Sequence, residues 1–420
     1  MKRSLILTTV MIVLFITGVQ AETLDQFQIE YPLSFSLTIQ NPTNQVRTDE
    51  MINLSVSQIR TKYPDFNSSY FVILLDNQEI PGQFVINRNG EDQIIFKISL
   101  KPSEQTQVEI RYSKVGKKER QYPKLTQAEL SHKVGGKFVN RIYEGGTFQN
   151  VSFLRVPPEH TDHSFYIRYE GPGWESDLVG YRFYLDWRNA IDVYGKKTHE
   201  MILQNVGLDG FDSYHEMSDW GMDILKVGES LGLGTVGIWL KNKAERVSSI
   251  DSSTCEIIEN GSLRSQIQTK YFGWKTEAGK FDLISNLTID AGSRLTKHTL
   301  QLTDNPPNLC TGIVKMENTI VFTSPVKDNG WMYLATYGKQ SLAGDSLGLA
   351  IIFRKNDVIK LTEDTNSHVI VLKPTNNSLT YYFLAAWEKE PNGIRSCNQF
   401  VQYLNETVRR LDSPILIKID

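Results

Sequence analysis

Cysteine is almost missing from this chain. Only Cys255, Cys310 and Cys397 occur in 420 residues, an odd, widely spaced set that permits at most one bridge within a chain and lacks the CxxC spacing of a zinc-thiolate site. A disulfide framework therefore does not hold the fold together. Long runs of like charge are missing too. Forty-five basic against 48 acidic side chains leave a net charge of −3, which argues against dedicated nucleic-acid binding. After residue 21 no stretch approaches the roughly 20 apolar residues needed to cross a bilayer. There is no GxSxG elbow, no GxxxxGK[ST] phosphate loop and no GxGxxG between a strand and a helix, so no nucleotide cofactor is implied. The glycine-rich "GESLGLGTVGIW" runs on into a strand and reads as a turn or hairpin.

The chain opens with Lys2 and Arg3, the apolar run "LILTTVMIVLFITGV", and small residues that place a signal-peptidase cut before Glu22. Residues 1–21 thus read as a signal peptide, and the mature protein as exported, periplasmic or secreted. Beyond them, short segments with period-two alternation ("FSLTIQN", "MINLSVS", "YFVILLD", "QIIFKISL", "QVEIRYS") are separated by turn signals such as Asn41-Pro42 and Lys101-Pro102. Residues 22–122 are expected to form an N-terminal immunoglobulin-like β-sandwich that ends in the charged linker "KVGKKERQYPK". Residues 123–420 carry longer strands with no alternating helices. They predict a large antiparallel β-supersandwich, and the fold class is all-β with a few short helices. Helical spacing picks out 214–230 and the terminal "SCNQFVQYLNETVRRLD".

Titratable and aromatic residues are densest in "YEGPGWESDLVGYRFYLDWRNAIDVYGK", 169–196. In a strand beginning at Val179, Tyr181, Phe183, Leu185 and Trp187 share one face while Arg182, Tyr184, Asp186 and Arg188 share the other. A hairpin through Asn189-Ala190 returns Asp192 and Tyr194 to the charged face. That face is too polar for a core and reads as a ligand platform, with Arg–Asp pairing across a solvated sheet as the plain structural alternative. The following "SYHEMSDWGMDILKVGESL", read as a helix, puts Met217, Trp220, Ile224 and Leu225 on one side and His215, Asp219, Asp223 and Lys226 on another. "HEMSD" lacks the second His of a metalloprotease HExxH, and a divalent metal on this His/Asp set stays an open alternative to a surface helix with ion pairs. His160 and His163, in "PPEHTDHSF", can reach the same pocket. Oligomeric state is left open.

Those runs, with "TIDAGSRLTKHTL", "TYGKQSLAGDSLGLAI" and the opening "IQNPTNQVRTDE", resemble a family of exported Bacteroidetes proteins filed as a domain of unknown function. The resemblance spans essentially the whole mature chain. It implies a main domain like the β-supersandwich of sugar mutarotases and polysaccharide lyases. It also implies an oligosaccharide dehydratase that removes water from a terminal uronic acid of ulvan-like fragments, leaving a 4,5-unsaturated sugar. Two alternatives stand beside it: a polysaccharide lyase acting on uronates by β-elimination, and a non-catalytic carbohydrate-binding protein. Such an elimination takes the C5 proton beside the carboxylate and protonates the oxygen leaving C4, so the carboxylate must be neutralised and a base and an acid supplied. By residue type, Arg182 or Arg188 is the neutraliser, because a guanidinium matches a carboxylate bidentately. His215 and Tyr194 are the base and acid, with Tyr184 and Tyr214 as substitutes. Trp174 and Trp220 are candidates for stacking on sugar rings, and Glu175, Asp192 and Tyr214 for substrate binding. No cofactor is required.

Overall fold

The structure, a computed structural model, describes residues 24–86, 90–304, 306–325 and 329–420. The expected leader and its cut before Glu22 lie outside them. Alternation builds the first layer: Leu33–Gln40 buries Phe35, Leu37 and Ile39 and turns the intervening Ser36 and Thr38 outward. This strand pairs antiparallel with Gln105–Tyr112 on one side and with Leu416–Ile419 on the other. The resulting five-stranded sheet faces a three-stranded one, Arg47–Ser55, Gln93–Leu100 and Gly82–Val85, and Phe35, Leu37, Ile52, Leu54, Phe96 and Ile110 fill the space between. The last strand of the chain thus completes a sheet whose other members all precede residue 113.

The larger body is a nine-stranded antiparallel sheet faced by two five-stranded sheets. One of these runs, in spatial order, Gly221–Asp223, Ile191–Lys196, Val179–Phe183, Gly173–Ser176 and Thr126–Glu129. The layers share one core that includes Trp174, Tyr181, Val193, Leu283, Phe383 and Trp387. The terminal helix forms as the spacing predicts, over Cys397–Asp412. Ser396 caps it by accepting the Gln399 N–H, and Phe400, Leu404 and Val408 pack on Trp331, Tyr333 and Ile352 of the large sheet. Among the described residues no helix is long and apolar enough to cross a membrane. All three cysteines are free, and Cys255 and Cys310 are buried.

The helix expected over 214–230 does not form. The chain makes one 3₁₀ turn at Ser213–His215 and then the short strand Gly221–Asp223, which pairs with Ile191–Lys196 through Tyr194↔Asp223 and Lys196↔Gly221. Gly221 sits at φ +132, and a Cβ there would lie 1.8 Å from the Gly195 carbonyl oxygen. Only glycine allows that approach. The supposed helical stripe accordingly disperses: Met217 is exposed, Trp220 half-buried, and Ile224 and Leu225 buried. Asp219 and Lys226 point to solvent while Asp223 goes inside. Edge pairing of a strand has overridden local spacing.

Candidate functional site

Two strands position the centre of the charged face. Register places Arg182 opposite Asp192 and Gly180 opposite Tyr194. The strand stops at Phe183, because the Tyr184 N–H donates to the Ala190 carbonyl and a tight turn closes with Asn189 N–H on the Asp186 carbonyl. Alternation therefore fails beyond Tyr184: Trp187, expected in the core, is exposed.

Arg182 is 1 % exposed and saturated. Its Nε and Nη2 donate to Asp192 Oδ2 at 3.2 and 2.8 Å, Nη2 to Asp223 Oδ2 at 2.6 Å and to the Tyr184 hydroxyl at 3.1 Å, and Nη1 to the Tyr214 hydroxyl at 2.8 Å. The Tyr184 hydroxyl in turn donates to Asp192 Oδ2 at 2.7 Å. Burial, and then the neighbouring Asp223 carboxylate, hold the Asp192 carboxyl above the usual range. His215 stands at the rim with Nε2 3.5 Å from Asp223 Oδ2 and its side chain 45 % exposed. Its hydrogen bond to Asp223 raises the imidazole above its ordinary value. The Tyr214 ring lies 4.7 Å from that of His215.

A second cluster adjoins the first through Tyr184, whose ring carries the Arg182 guanidinium at 4.9 Å and that of Arg188 at 3.9 Å. Arg188 pairs with Asp162 at 2.7 Å, Glu170 at 2.8 Å and Asp186 at 2.5 Å; burial pulls its pKa down, but Asp186 and Glu170 outweigh that and push it up. His163 shares Asp162, at 2.5 Å from Nδ1, and stands 4.0 Å from Glu170. Asp162, His163 and Glu170 are the group, among the described residues, whose ligand atoms lie close enough together to hold a metal ion; His215, Asp219 and Asp223, the set suggested by the helical reading, make no such cluster among them. His160 is buried, its Nδ1 on Ser164 Oγ at 2.7 Å, and burial drives its pKa down to about 4.

The tertiary structure thus gathers Arg182, Tyr184, Asp192, Tyr214 and His215 into one network and sets Arg188 beside it. It withdraws others. Tyr194 is fully buried with its hydroxyl unpartnered, wedged edge-on between Tyr169, Tyr214 and Trp220, so a direct role as acid has no path to substrate. Trp174 is a core residue that stacks on Tyr181 and donates from Nε1 to Thr296 Oγ1 at 2.9 Å; it offers no face to a sugar. Glu175 is equally interior. It binds the Lys196 ammonium at 2.6 Å and accepts the Ile202 and Leu203 N–H groups at 2.9 Å each, a structural assignment. Trp220 stays partly accessible beside Tyr194. Sequence reasoning gave no role to Asp162 and Glu170 and put Asp223 on a helix. The signal for Glu170 was its place beside the first glycine of "YEGPGW": Tyr169 and Glu170 both take positive φ, of 39° and 69°, which turns the Glu170 carboxylate toward Arg188 and the His163 N–H.

No curated protein matches the sequence. Among solved structures, a glycosyl hydrolase family 38 protein from Enterococcus faecalis aligns over 92 % of this chain and 47 % of its own, with 8 % identity and a TM-score of 0.45. An α-mannosidase from Enterococcus faecalis V583 aligns over 92 % and 46 %, with 8 % identity and a TM-score of 0.39. The chain spans about half the length of these structures. The signature of the family described as domain of unknown function DUF4861 covers residues 39–417, and the chain belongs to that family.

Proposed function

We propose that this protein is an exported oligosaccharide dehydratase, a carbon–oxygen lyase that removes water from a terminal uronic acid. The observation that carries the reading is the arrangement along the face: a half-exposed His215 backed by buried Asp223 at one end, Arg188 at the other, and Tyr184 between the two guanidiniums. In this reading His215 takes the C5 proton, and Asp223 stabilises the imidazolium that forms. Tyr184 protonates the departing C4 hydroxyl with the proton that it donates to Asp192 in the resting site, and the phenolate is reprotonated from solvent. Arg182, with every donor engaged by protein groups, positions Asp223 and both phenols and does not grip substrate. The uronate carboxylate falls to Arg188, which exchanges its bond to the half-exposed Asp162 for the substrate. Should a divalent ion be bound, Asp162, His163 and Glu170 would hold it, and it would supply further neutralising charge next to that carboxylate.

The test is mass spectrometry and ultraviolet absorbance on a panel of uronic-acid oligosaccharides. Loss of one water at constant chain length, with a conjugated product, supports dehydration. Cleavage into two fragments would make the protein a lyase, and binding with no mass change a carbohydrate-binding module. His215→Ala is expected to lower turnover by roughly a hundred- to ten-thousand-fold with little change in KM. Arg188→Ala should lower kcat/KM by about a hundredfold or more.

A further inference from the structure

A second concave surface lies away from this face, where the N-terminal sandwich meets the large sheet. It is a groove of about 680 Å³. Its floor is the outer side of the nine-stranded sheet, where antiparallel register sets Gln266 opposite Thr288, Thr288 opposite Lys297 and Lys297 opposite Tyr382. These side chains form one row on the side away from the core. One wall comes from the strand Arg47–Ser55 and the other from the terminal helix, with Trp331 and Arg354 at the far end.

Most charges in the groove are matched. Arg264 holds Asp290 bidentately, Nε to Oδ1 at 2.6 Å and Nη2 to Oδ2 at 2.8 Å. Arg410 lies 3.6 Å from Glu50, Lys97 3.7 Å from Asp49, and Glu406 accepts the Gln402 amide at 3.0 Å. Two cations are not. Among the described residues neither the Lys297 ammonium nor the Arg354 guanidinium has a carboxylate within ion-pair distance: Asp290 and Asp357 act on them only from farther off, and Arg354 rests on the Trp331 ring at 4.5 Å. Burial, and then the Arg264 guanidinium, hold the Lys297 ammonium below the usual lysine range, with Asp290 offsetting them only in part. Their strands are two apart in the sheet and Arg354 lies two residues beyond the position level with Lys297, a separation of about 12 Å from two interstrand spacings and the rise of two residues. The half-buried Tyr382 stands in the floor between them, edge-on to Trp331.

We propose that this groove binds an acidic oligosaccharide, with Lys297 and Arg354 each taking an anionic group and Tyr382 and the Gln266–Thr288 row meeting the sugars between. Amide and hydroxyl groups on the floor, one aromatic ring and two spaced unpaired cations suit a hydroxylated chain carrying repeated negative charge. An apolar peptide would leave those cations buried without partners. The choice of a sugar rests on the function proposed above. The groove would hold the body of a polymer fragment independently of the face that carries His215.

The experiment is calorimetric titration of the full chain with a galacturonic acid tetramer, a sulfated galactan tetramer, and maltotetraose as the neutral control, each with wild type, His215→Ala, Lys297→Ala and the double variant Lys297→Ala/Arg354→Ala. Saturable binding of an acidic tetramer, unchanged in His215→Ala, weakened about tenfold in Lys297→Ala and further in the double variant, is expected. Which of the two acidic probes binds identifies the anionic group as carboxylate or sulfate. Equal affinity of wild type and double variant, equal affinity for maltotetraose, or no saturable binding of either acidic tetramer overturns the proposal. Because binding is also read in His215→Ala, where the proposed elimination is blocked, a failure of the dehydratase reading appears separately, as an absent mass change with binding intact.

Discussion

Replacing Arg182 by Met keeps most of the side chain's volume and removes its charge. The guanidinium is 1 % exposed and bridges two carboxylates that are themselves 1 % exposed, at 2.8 and 2.6 Å. Removing one partner of a buried ion pair costs about 3–5 kcal/mol, because the remaining charge has neither water nor a counter-ion. Against a total stability of roughly 5–15 kcal/mol this is a large fraction. The loss must also depend on pH, in a definite direction. Burial already holds Asp192 at about 7 beside Arg182, and without the guanidinium it rises further, so above that pH the folded variant keeps a proton that the folded wild type has lost, and its stability falls more steeply as pH rises. The difference between wild type and Arg182→Met should therefore shrink as pH falls from 9 to 7, by up to about 1.4 kcal/mol per pH unit as Asp192 titrates, and level off below that. Urea denaturation at several pH values measures it. A difference below about 1 kcal/mol, or one that stays constant from pH 9 to pH 7, would refute the view that this guanidinium is the chief neutraliser of the pair.

Asp223→Asn removes the group that raises the His215 imidazole, so the rising limb of the pH–rate profile is expected to move to lower pH while maximal turnover falls; an unmoved limb would dissociate the two residues. Burial holds His160 down at about 4 and His298 at about 3. Both stay neutral in the folded protein while the unfolded chain takes up protons below about 6.5, so stability is full above that pH and each contributes a loss of roughly 3 kcal/mol by pH 4. His298→Gln, which can keep the bond to Ser285, should make the fall in urea midpoint between pH 7 and pH 4 shallower. Trp174→Ala is expected to cost about 3–5 kcal/mol of stability as a core truncation, with KM unchanged for the fraction that remains folded; a raised KM at intact stability would return this residue to the substrate.

Part of the site was legible because strand alternation and cross-strand pairing are written locally. Period two placed Arg182 and Tyr184 on one face, and the return strand brought Asp192 opposite Arg182. Depth was not legible. The same alternation that gathers charges on a face does not say whether that face meets solvent, and the segments 202–214 cover it with Ile202, Leu203, Phe211 and Tyr214. A reading that expected an open platform met a buried network with rims at His215 and His163.

By itself, the sequence determined an all-β chain, the terminal amphipathic helix and a hairpin that returns Asp192 to the face of Arg182, since each depends on residues close together in the chain. Only the tertiary structure decided that 221–223 is an edge strand, that Asp223 reaches Arg182 and His215, that Leu416–Ile419 closes the first sheet, and that Lys297 and Arg354 share a groove. Those outcomes turn on which distant segments compete for the same hydrogen-bonding edge and on which charges find partners once water is excluded. Neither quantity exists until the layers have packed.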